Sequence, residues 1–357
     1  MLTCTHPLKA YQGLNAKPGR PSFLVFSIAE AEKVFGFDSR QLPLFKVVYL
    51  PCGHCVPCRL SRAREWATRC YHELLTSESA SFLTLTYNEE HLPADKCVSN
   101  RAHQLFMKRL RKALPGVKIR FFMCAEYGKR GTFRPHYHYI IFGYDFPDKT
   151  PWKNSHTGYP MCRSALLERL WPFGYSTVQR VSFETCQYVA RYVLKKAHGS
   201  LGAKWYAEHN RTPEFCRSSN RPGIGRDWLV RYFWSDVRVR DRVPCMTRRG
   251  VQHFSVPRYY LKIIHELWPE EYLSFKERQH ALMMQREADD RAEAERQGMP
   301  YSDWCCFQSN LSLLKARNSW KTNYRSYENS DLTPDEQVDI IKPIDEELRL
   351  HQPHLFI

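Results

Sequence analysis

Apolar residues recur at helical spacing through Leu60, Ala63, Ala67, Cys70, Tyr71 and Leu74, while Arg59, Arg62, Arg64 and Arg69 fall mostly off that stripe. This pattern predicts an amphipathic helix. Residues 81–87 (SFLTLTY) switch to a period of two and are rich in β-branched and aromatic side chains, so a strand follows. Helical spacing returns over 101–114, with Phe106, Leu110 and Ala113 inward, Lys108, Arg109, Arg111 and Lys112 around them, and Pro115 and Gly116 as the stop. Residues 118–127 (KIRFFMCAEY) and 135–142 (PHYHYIIF) read as two strands, and the short loop between them favours an antiparallel hairpin. Residues 165–170 read as helix, 175–181 as strand and 183–196 as a third strong helix. The order strand, helix, strand, strand, helix, strand, helix predicts an α+β fold with helices packed on one side of a mostly antiparallel sheet.

Outside this stretch the signals weaken. The segment up to about Phe45 is rich in Gly and Pro and reads as irregular connection, and a short strand at 47–50 leads into a cysteine cluster. After Gly199 a long helix is predicted over 271–297, and the tail beyond Ser330 is acidic and polar. We therefore divide the chain into a cysteine-rich element with a basic helix (1–75), a core (76–200) and a partly helical C-terminal extension (201–357).

Composition narrows the class. Hydrophobic residues make up 43% of 357 and aromatics 14%, which is enough for a sizeable core and excludes wholesale disorder. No window approaches the roughly 18 apolar residues of a membrane span. The opening MLTCTHPLKA lacks the apolar run of a secretory signal. Thirteen cysteines, an odd and unevenly spaced set, point to reduced thiols or metal ligands rather than a disulfide framework. Fifty-three Lys plus Arg against 37 Asp plus Glu leave a net charge of +16. In a soluble intracellular protein that favours polyanionic partners, nucleic acid first, over a basic surface kept for solubility.

Three constellations carry candidate chemistry. His136 and His138 lie two apart on a strand, so both imidazoles project from one face about 7 Å apart, while Tyr137, Tyr139 and Ile141 take the other. Such a pair either closes on a divalent cation, with Glu126 across the hairpin as an oxygen ligand, or is hydrogen-bonded within a core. On the third helix Tyr188 and Tyr192 are four apart, Lys195 continues their stripe, and Cys186, Val189, Ala190 and Val193 form the adjoining buried stripe. Each tyrosine is followed three residues on by a cation, Arg191 or Lys195. A phenol of pKa about 10 needs a nearby cation or metal to act as a nucleophile; otherwise the two tyrosines are amphipathic residues at a core margin. Cys52, Cys55 and Cys58 form C-x2-C-x2-C, with Cys4 or His6 available as a fourth ligand. Structural zinc, reduced thiols and an iron–sulfur cluster all remain open for it.

The ordered segments Phe82-Leu83-Thr84-Leu85-Thr86-Tyr87, Cys124-Ala125-Glu126-Tyr127-Gly128, Arg134-Pro135-His136-Tyr137-His138 and the paired tyrosines resemble the replication initiators of gokushovirus-type microviruses, in the HUH endonuclease superfamily. Cys4-Thr5-His6-Pro7, the cysteine element and Arg221-Pro222-Gly223-Ile224-Gly225 are similar to that subfamily too. The resemblance covers residues 1–260 or so. It implies an RRM- or ferredoxin-like HUH core in which His136, His138 and Glu126 hold Mg²⁺ or Mn²⁺, although ligand chemistry alone would suggest zinc or manganese. It implies that Tyr188 or Tyr192 attacks single-stranded origin DNA, leaving a 5′-phosphotyrosine and a primer 3′-hydroxyl, and that the second tyrosine later helps circularise the product. Lys195 matches the family's motif lysine, Thr84 and Thr86 its first motif. Arg134, Arg191 and Lys196, with the two threonines, are expected DNA contacts. A host helicase or polymerase is the implied partner and the host bacterial cytoplasm the implied location, with no membrane involved. An HUH transposase or relaxase, or a non-catalytic zinc-containing DNA-binding regulator, would share parts of this pattern. The basic helices are expected to flank a groove leading to the histidines, with Tyr87 and Tyr127 stacking on bases.

Overall fold

The computed structural model describes residues 8–14, 24–38, 41–53, 56–128, 134–155, 158–195, 204, 206–301, 303–305, 307–308 and 311, with backbone alone at 46, 47, 49, 56, 57, 60 and 191–195. Among the described residues, contacts group 60–260 into one unit and the residues up to 59 and from 261 on into another.

The larger unit is built on seven antiparallel strands. β4 (Ala80–Tyr87), β5 (Arg120–Tyr127), β6 (Pro135–Phe142) and β9 (Gly174–Gln179) run in the order β5-β6-β4-β9. β10 (Phe215–Ser218) extends the sheet beyond β5, and the hairpin of β7 (Lys149–Asn154) and β8 (Pro160–Ser164) extends it beyond β9. The crossovers are α3 (Asn100–Ala113) and α4 (Ala165–Leu170), so β4, α3, β5, β6, α4, β9 form the expected βαββαβ series. β7 and β8 escape sequence reading because β7 is exposed at every position and shows no alternation.

Helices cover both faces of this sheet, not one. α3 and α4 pack Phe106, Met107, Leu110, Leu167 and Leu170 on the face of Leu83, Leu85, Met123, Tyr139 and Ile141. α2 (Val56–Leu75) and α5 (Phe183–Lys195) pack Ala63, Ala67, Cys70, Phe183, Cys186, Val189 and Ala190 on Phe82, Phe122, Ile140 and Phe142, the opposite face. The physical reason lies in the strands: at this end both alternating sets are apolar, so each face needs a cover. α2 and β10 thereby tie the segments flanking the expected 76–200 core to the sheet.

The loop 221–225 is fastened onto the second face. Buried Glu73 of α2 accepts from Arg120 Nε and from Gly225 N at 2.6 Å; Arg120 also reaches Pro222 O at 2.9 Å and Arg69 Nε reaches Ile224 O at 3.1 Å. Beside it His72 is buried flat against Trp228 (ring centroids 3.5 Å), with Nδ1 at 3.0 Å from Tyr260 Oη and Nε2 at 2.9 Å from Pro244 O.

The smaller unit corrects the reading of the N-terminal segment as irregular. β1 (Leu8–Gly13) pairs with β2 (Leu24–Val25) and, over six residues, with β3 (Phe45–Leu50), while α1 (Ile28–Phe35) packs Ala31 on Tyr11 and Val25. The partner of β1 lies more than 30 residues away, so no local pattern announces the pairing. In this unit a 28-residue helix, Pro269–Arg296, stands where 271–297 is predicted. No helix among the described residues is long and apolar enough to cross a membrane.

Burial holds His72 well below its ordinary value, at about 3, and His103, whose Nδ1 meets Tyr139 Oη at 3.1 Å, at about 4. Both folded values lie below 6.5, so between them and 6.5 the unfolded chain binds more protons, and acid favours unfolding. Urea denaturation should therefore show stability constant above about pH 7 and falling below it, by up to about 1.4 kcal/mol per pH unit for each histidine. His72→Gln should flatten that slope; an unchanged slope would contradict this account of the acid sensitivity.

Candidate active site

The covered face of the sheet changes character along its strands. In the row Phe122, Ile140, Phe82 the register is apolar; one step on it reads Cys124, His138, Thr84, Thr177; the next reads Glu126, His136, Thr86, Tyr175. The same alternation that builds the second core under α2 and α5 thus brings both histidines, both threonines and the carboxylate to one place.

Each imidazole is held by the threonine directly across from it. Thr86 Oγ1 stands 2.8 Å from His136 Nδ1, and Thr84 Oγ1 stands 3.1 Å from His138 Nδ1. His138 Nε2 in turn lies 3.0 Å from Glu126 Oε1. One neutral tautomer satisfies both bonds of His138: the threonine hydroxyl donates to Nδ1, and Nε2–H donates to the carboxylate. Glu126 and His138 are both buried, so this bond supplies a partner that a buried carboxylate requires. Glu126 is in register with His136 yet bonds to His138, diagonally across the hairpin. The two imidazole centroids are 6.4 Å apart, close to the spacing expected along a strand.

A hydroxyl is a useful partner here because it accepts as well as it donates. If Nδ1 carries the proton and gives it to threonine Oγ1, the Nε2 lone pair of either ring is left for a cation, and Glu126 becomes an oxygen ligand. Among the described residues no three His, Cys, Asp or Glu side chains already stand gathered as a metal site. The donor set of two imidazoles and one carboxylate nevertheless fits a divalent ion once Glu126 exchanges its bond to His138 for the ion.

α5 supplies the phenol. Cys186, Val189 and Ala190 are buried as predicted, which turns Tyr188 to the margin of the core. Its half-buried ring meets His138 edge-on at 5.5 Å and Phe82 at 6.0 Å. Arg191, Tyr192 and Lys195 follow on the same helix, but their side chains lie outside the described residues, as does Lys196 entirely. Of the cysteine set, Cys4 and Cys55 (and His6) lie outside the described residues; Cys58 falls in the first turn of α2 as expected, and Cys52 just precedes the helix.

Two expectations are corrected. Tyr87 and Tyr127 do not border the histidines: both are buried on the opposite face, Tyr87 against Trp171 and Tyr137, and Tyr127 with its hydroxyl on Thr212 O at 2.8 Å. Their odd numbering on β4 and β5 puts them with Leu85 and Ala125, away from Thr86 and Glu126. Nor do the cations of α3 line a groove at the site, because α3 covers that same opposite face. Arg134 lies at the start of β6, where it donates to Tyr87 O at 2.9 Å and pairs with Glu89, joining the ends of β4 and β6.

Sequence reading assigns the threonines to support and overlooks Gly128. A Cβ at 128 would fall 2.5 Å from His136 Nε2, so glycine leaves the space the imidazole occupies. The run Glu126-Tyr127-Gly128 carried the signal, but only the register shows what the glycine faces. Gly128→Ala should push the His136 ring off Thr86 with little change in global stability, within about 0.5 kcal/mol. Imidazole nitrogen NMR shifts of His136 should move while those of His138 stay; unmoved His136 shifts would refute the steric role.

Comparison with known proteins agrees with this geometry. A family model for replication-associated proteins of the ORF2 type matches residues 80–197, the stretch from β4 through α5. Replication-associated protein ORF2 of Spiroplasma virus 4 is 32% identical over 235 residues, which is 62% of this chain and 70% of the relative. Replication-associated protein VP4 of Bdellovibrio phage phiMH2K is 31% identical over 281 residues, 76% and 80% of the two chains. Replication-associated protein ORF4 of Chlamydia phage 1 is 30% identical over 231 residues, 62% and 55%. No solved structure matches the chain. Identity at this level over most of a relative's length, centred on the strands and helix that build the site, places the chain in the family of replication-associated proteins of microviruses.

Proposed function

We propose that this chain initiates rolling-circle replication as an HUH-type endonuclease, nicking and rejoining single-stranded viral DNA through a tyrosine. The observation that carries this reading is Tyr188 packed edge-on over His138, at the point where one sheet face gathers two threonine-held imidazoles and a carboxylate. In the nicking step the phenol oxygen of Tyr188 or Tyr192 bonds to the scissile phosphorus and the P–O3′ bond breaks. The products are a 5′-phosphotyrosine and a 3′-hydroxyl, which takes up the proton the phenol gives off. His136, His138 and Glu126 would hold Mg²⁺ or Mn²⁺, which supplies Lewis-acid polarisation of the phosphate. Thr84 and Thr86 keep each ring turned to that task, and the buried surroundings of His138 and Glu126 limit competing water. One turn of α5 separates the two tyrosines, so both are within reach of the same phosphate, which suits a cut followed by a rejoining. Lys195, Arg191 and Lys196 would neutralise phosphate charge nearby.

Incubating the protein with single-stranded fragments tiling the viral genome and Mn²⁺ should give a covalent protein–DNA adduct from one fragment. The adduct should survive either single change, Tyr188→Phe or Tyr192→Phe, more weakly, and vanish in the double variant. An adduct that persists in the double variant would sink the nucleophile assignment. Binding to duplex DNA with no cleavage of any strand would favour a regulator instead.

The cysteine element is proposed to hold one structural zinc through Cys52, Cys55, Cys58 and Cys4, with Cys58 presented by the first turn of α2. Metal analysis of the purified protein should find zinc near one per chain and its loss in Cys58→Ser. Zinc-free, folded wild type would refute this ligand set.

A further inference from the structure

On the face that carries the histidines, one large side chain of the four central strands stands in solvent. Along β5, β6, β4 and β9 this face reads Phe122, Cys124, Glu126, then Phe142, Ile140, His138, His136, then Phe82, Thr84, Thr86, then Gln179, Thr177, Tyr175. All are buried or half-buried except Tyr175, which is 66% exposed. It is the direct cross-strand partner of Thr86, whose hydroxyl holds His136. Directly opposed residues bring their Cβ atoms within about 5 Å. The Tyr175 ring therefore lies one side chain away from the His136 imidazole, on the side away from Glu126.

The backbone beneath this ring is fixed. Ser176, Thr177 and Val178 are buried, and the strand starts flush against the end of β4 because residue 174 is glycine. With φ +153°, a Cβ there would fall 2.3 Å from Asn88 N and 2.4 Å from Thr86 O. No core contact explains so large an apolar ring at an exposed position, and a ring on a rigid strand beside a phosphate-handling centre is the usual means of holding an unpaired base. Base–aromatic stacking is tolerant of sequence and needs only one free π-face.

We propose that Tyr175 is a nucleobase-binding residue: an unpaired base next to the scissile phosphate stacks on its ring and so sets that phosphate over His136 and His138. The inference rests on the reading that a single DNA strand is the substrate, and it adds the subsite that positions the strand. The buried tyrosines of β4, β5 and β6 face the opposite core, so the base goes to β9.

The test uses the full chain in chelator, where no strand can be cut, and an oligothymidylate of about 15 nucleotides with one central 2-aminopurine. Wild type and Tyr175→Phe should bind alike and quench the 2-aminopurine. Tyr175→Ala should bind about tenfold more weakly and lose the quenching, with its thermal melt unchanged. Equal affinity and equal quenching for Tyr175→Ala would overturn the proposal, and so would Tyr175→Phe behaving like Tyr175→Ala, since the phenyl ring would then not be the platform. Adduct formation with Mn²⁺ is scored separately on wild type. Tyr175-dependent quenching without any adduct leaves the base subsite standing and removes the nuclease; an adduct with an indifferent Tyr175 does the reverse.

Discussion

The pairing of β4 with β6 is the constraint on which the site depends. Thr84 opposite His138 and Thr86 opposite His136 are register pairs, and each is closed by a hydrogen bond between side chains. A slip of one residue would turn both threonines into the core under α3 and bring Leu83 and Leu85 to the histidines. The apolar ends of the same strands prevent that slip, because Phe82, Ile140 and Phe122 must face α2 and α5 while Leu83, Tyr139 and Met123 face α3 and α4. The orientation of the imidazoles is thus fixed by hydrophobic burial two and four residues away. The threonine bonds then choose which ring nitrogen points outward.

The same face explains how a tyrosine arrives beside a histidine. α5 is anchored by Phe183, Cys186, Val189 and Ala190, and its next position around the helix is Tyr188. Phe82 forms the floor: its ring is stacked with His138 at 6.0 Å and meets Tyr188 edge-on. Polar chemistry begins where this apolar cover ends. That boundary is where a phosphate can approach from solvent while the groups behind it, Glu126 and His138, remain shielded.

Much of this was legible because it is local. The helices and strands from β4 to α5 follow from period and stop signals, and the projection of His136 with His138 follows from strand geometry alone. The buried stripe of α5 was equally readable. What escaped depends on partners distant in sequence. The β1–β3 pairing, the attachment of loop 221–225 to Glu73 and the cover on the second face all join segments that no window of neighbouring residues contains. Tyr87 and Tyr127 were misplaced because aromatic character suggested a surface role, when their parity on the strand already assigned them to the face opposite Thr86 and Glu126. Tyr175 shares the parity of the site and was passed over because only the β4–β9 register puts it beside Thr86.

The charge of +16 also changes meaning once the cations are placed. Arg69 is buried between Trp66 and Tyr259 with its Nε on a carbonyl; Arg120 is engaged by Glu73 and Pro222 O; Arg109 Nε donates to Leu170 O and Arg134 to Tyr87 O. These guanidiniums satisfy carbonyls and carboxylates at the joints of the fold. Other cations are spread over separate surfaces: Lys108, Arg111 and Lys112 on α3 behind the sheet, Lys153 on β7, Arg242 and Arg248 on the hairpin 242–255. A field distributed in this way attracts a polyanion from many directions and raises its encounter rate, but it cannot by itself bring one phosphate to two imidazoles. Discrimination at that scale must come from short contacts with fixed geometry, which directs attention to the few side chains of β4, β6 and β9 that stand on the same face of the sheet.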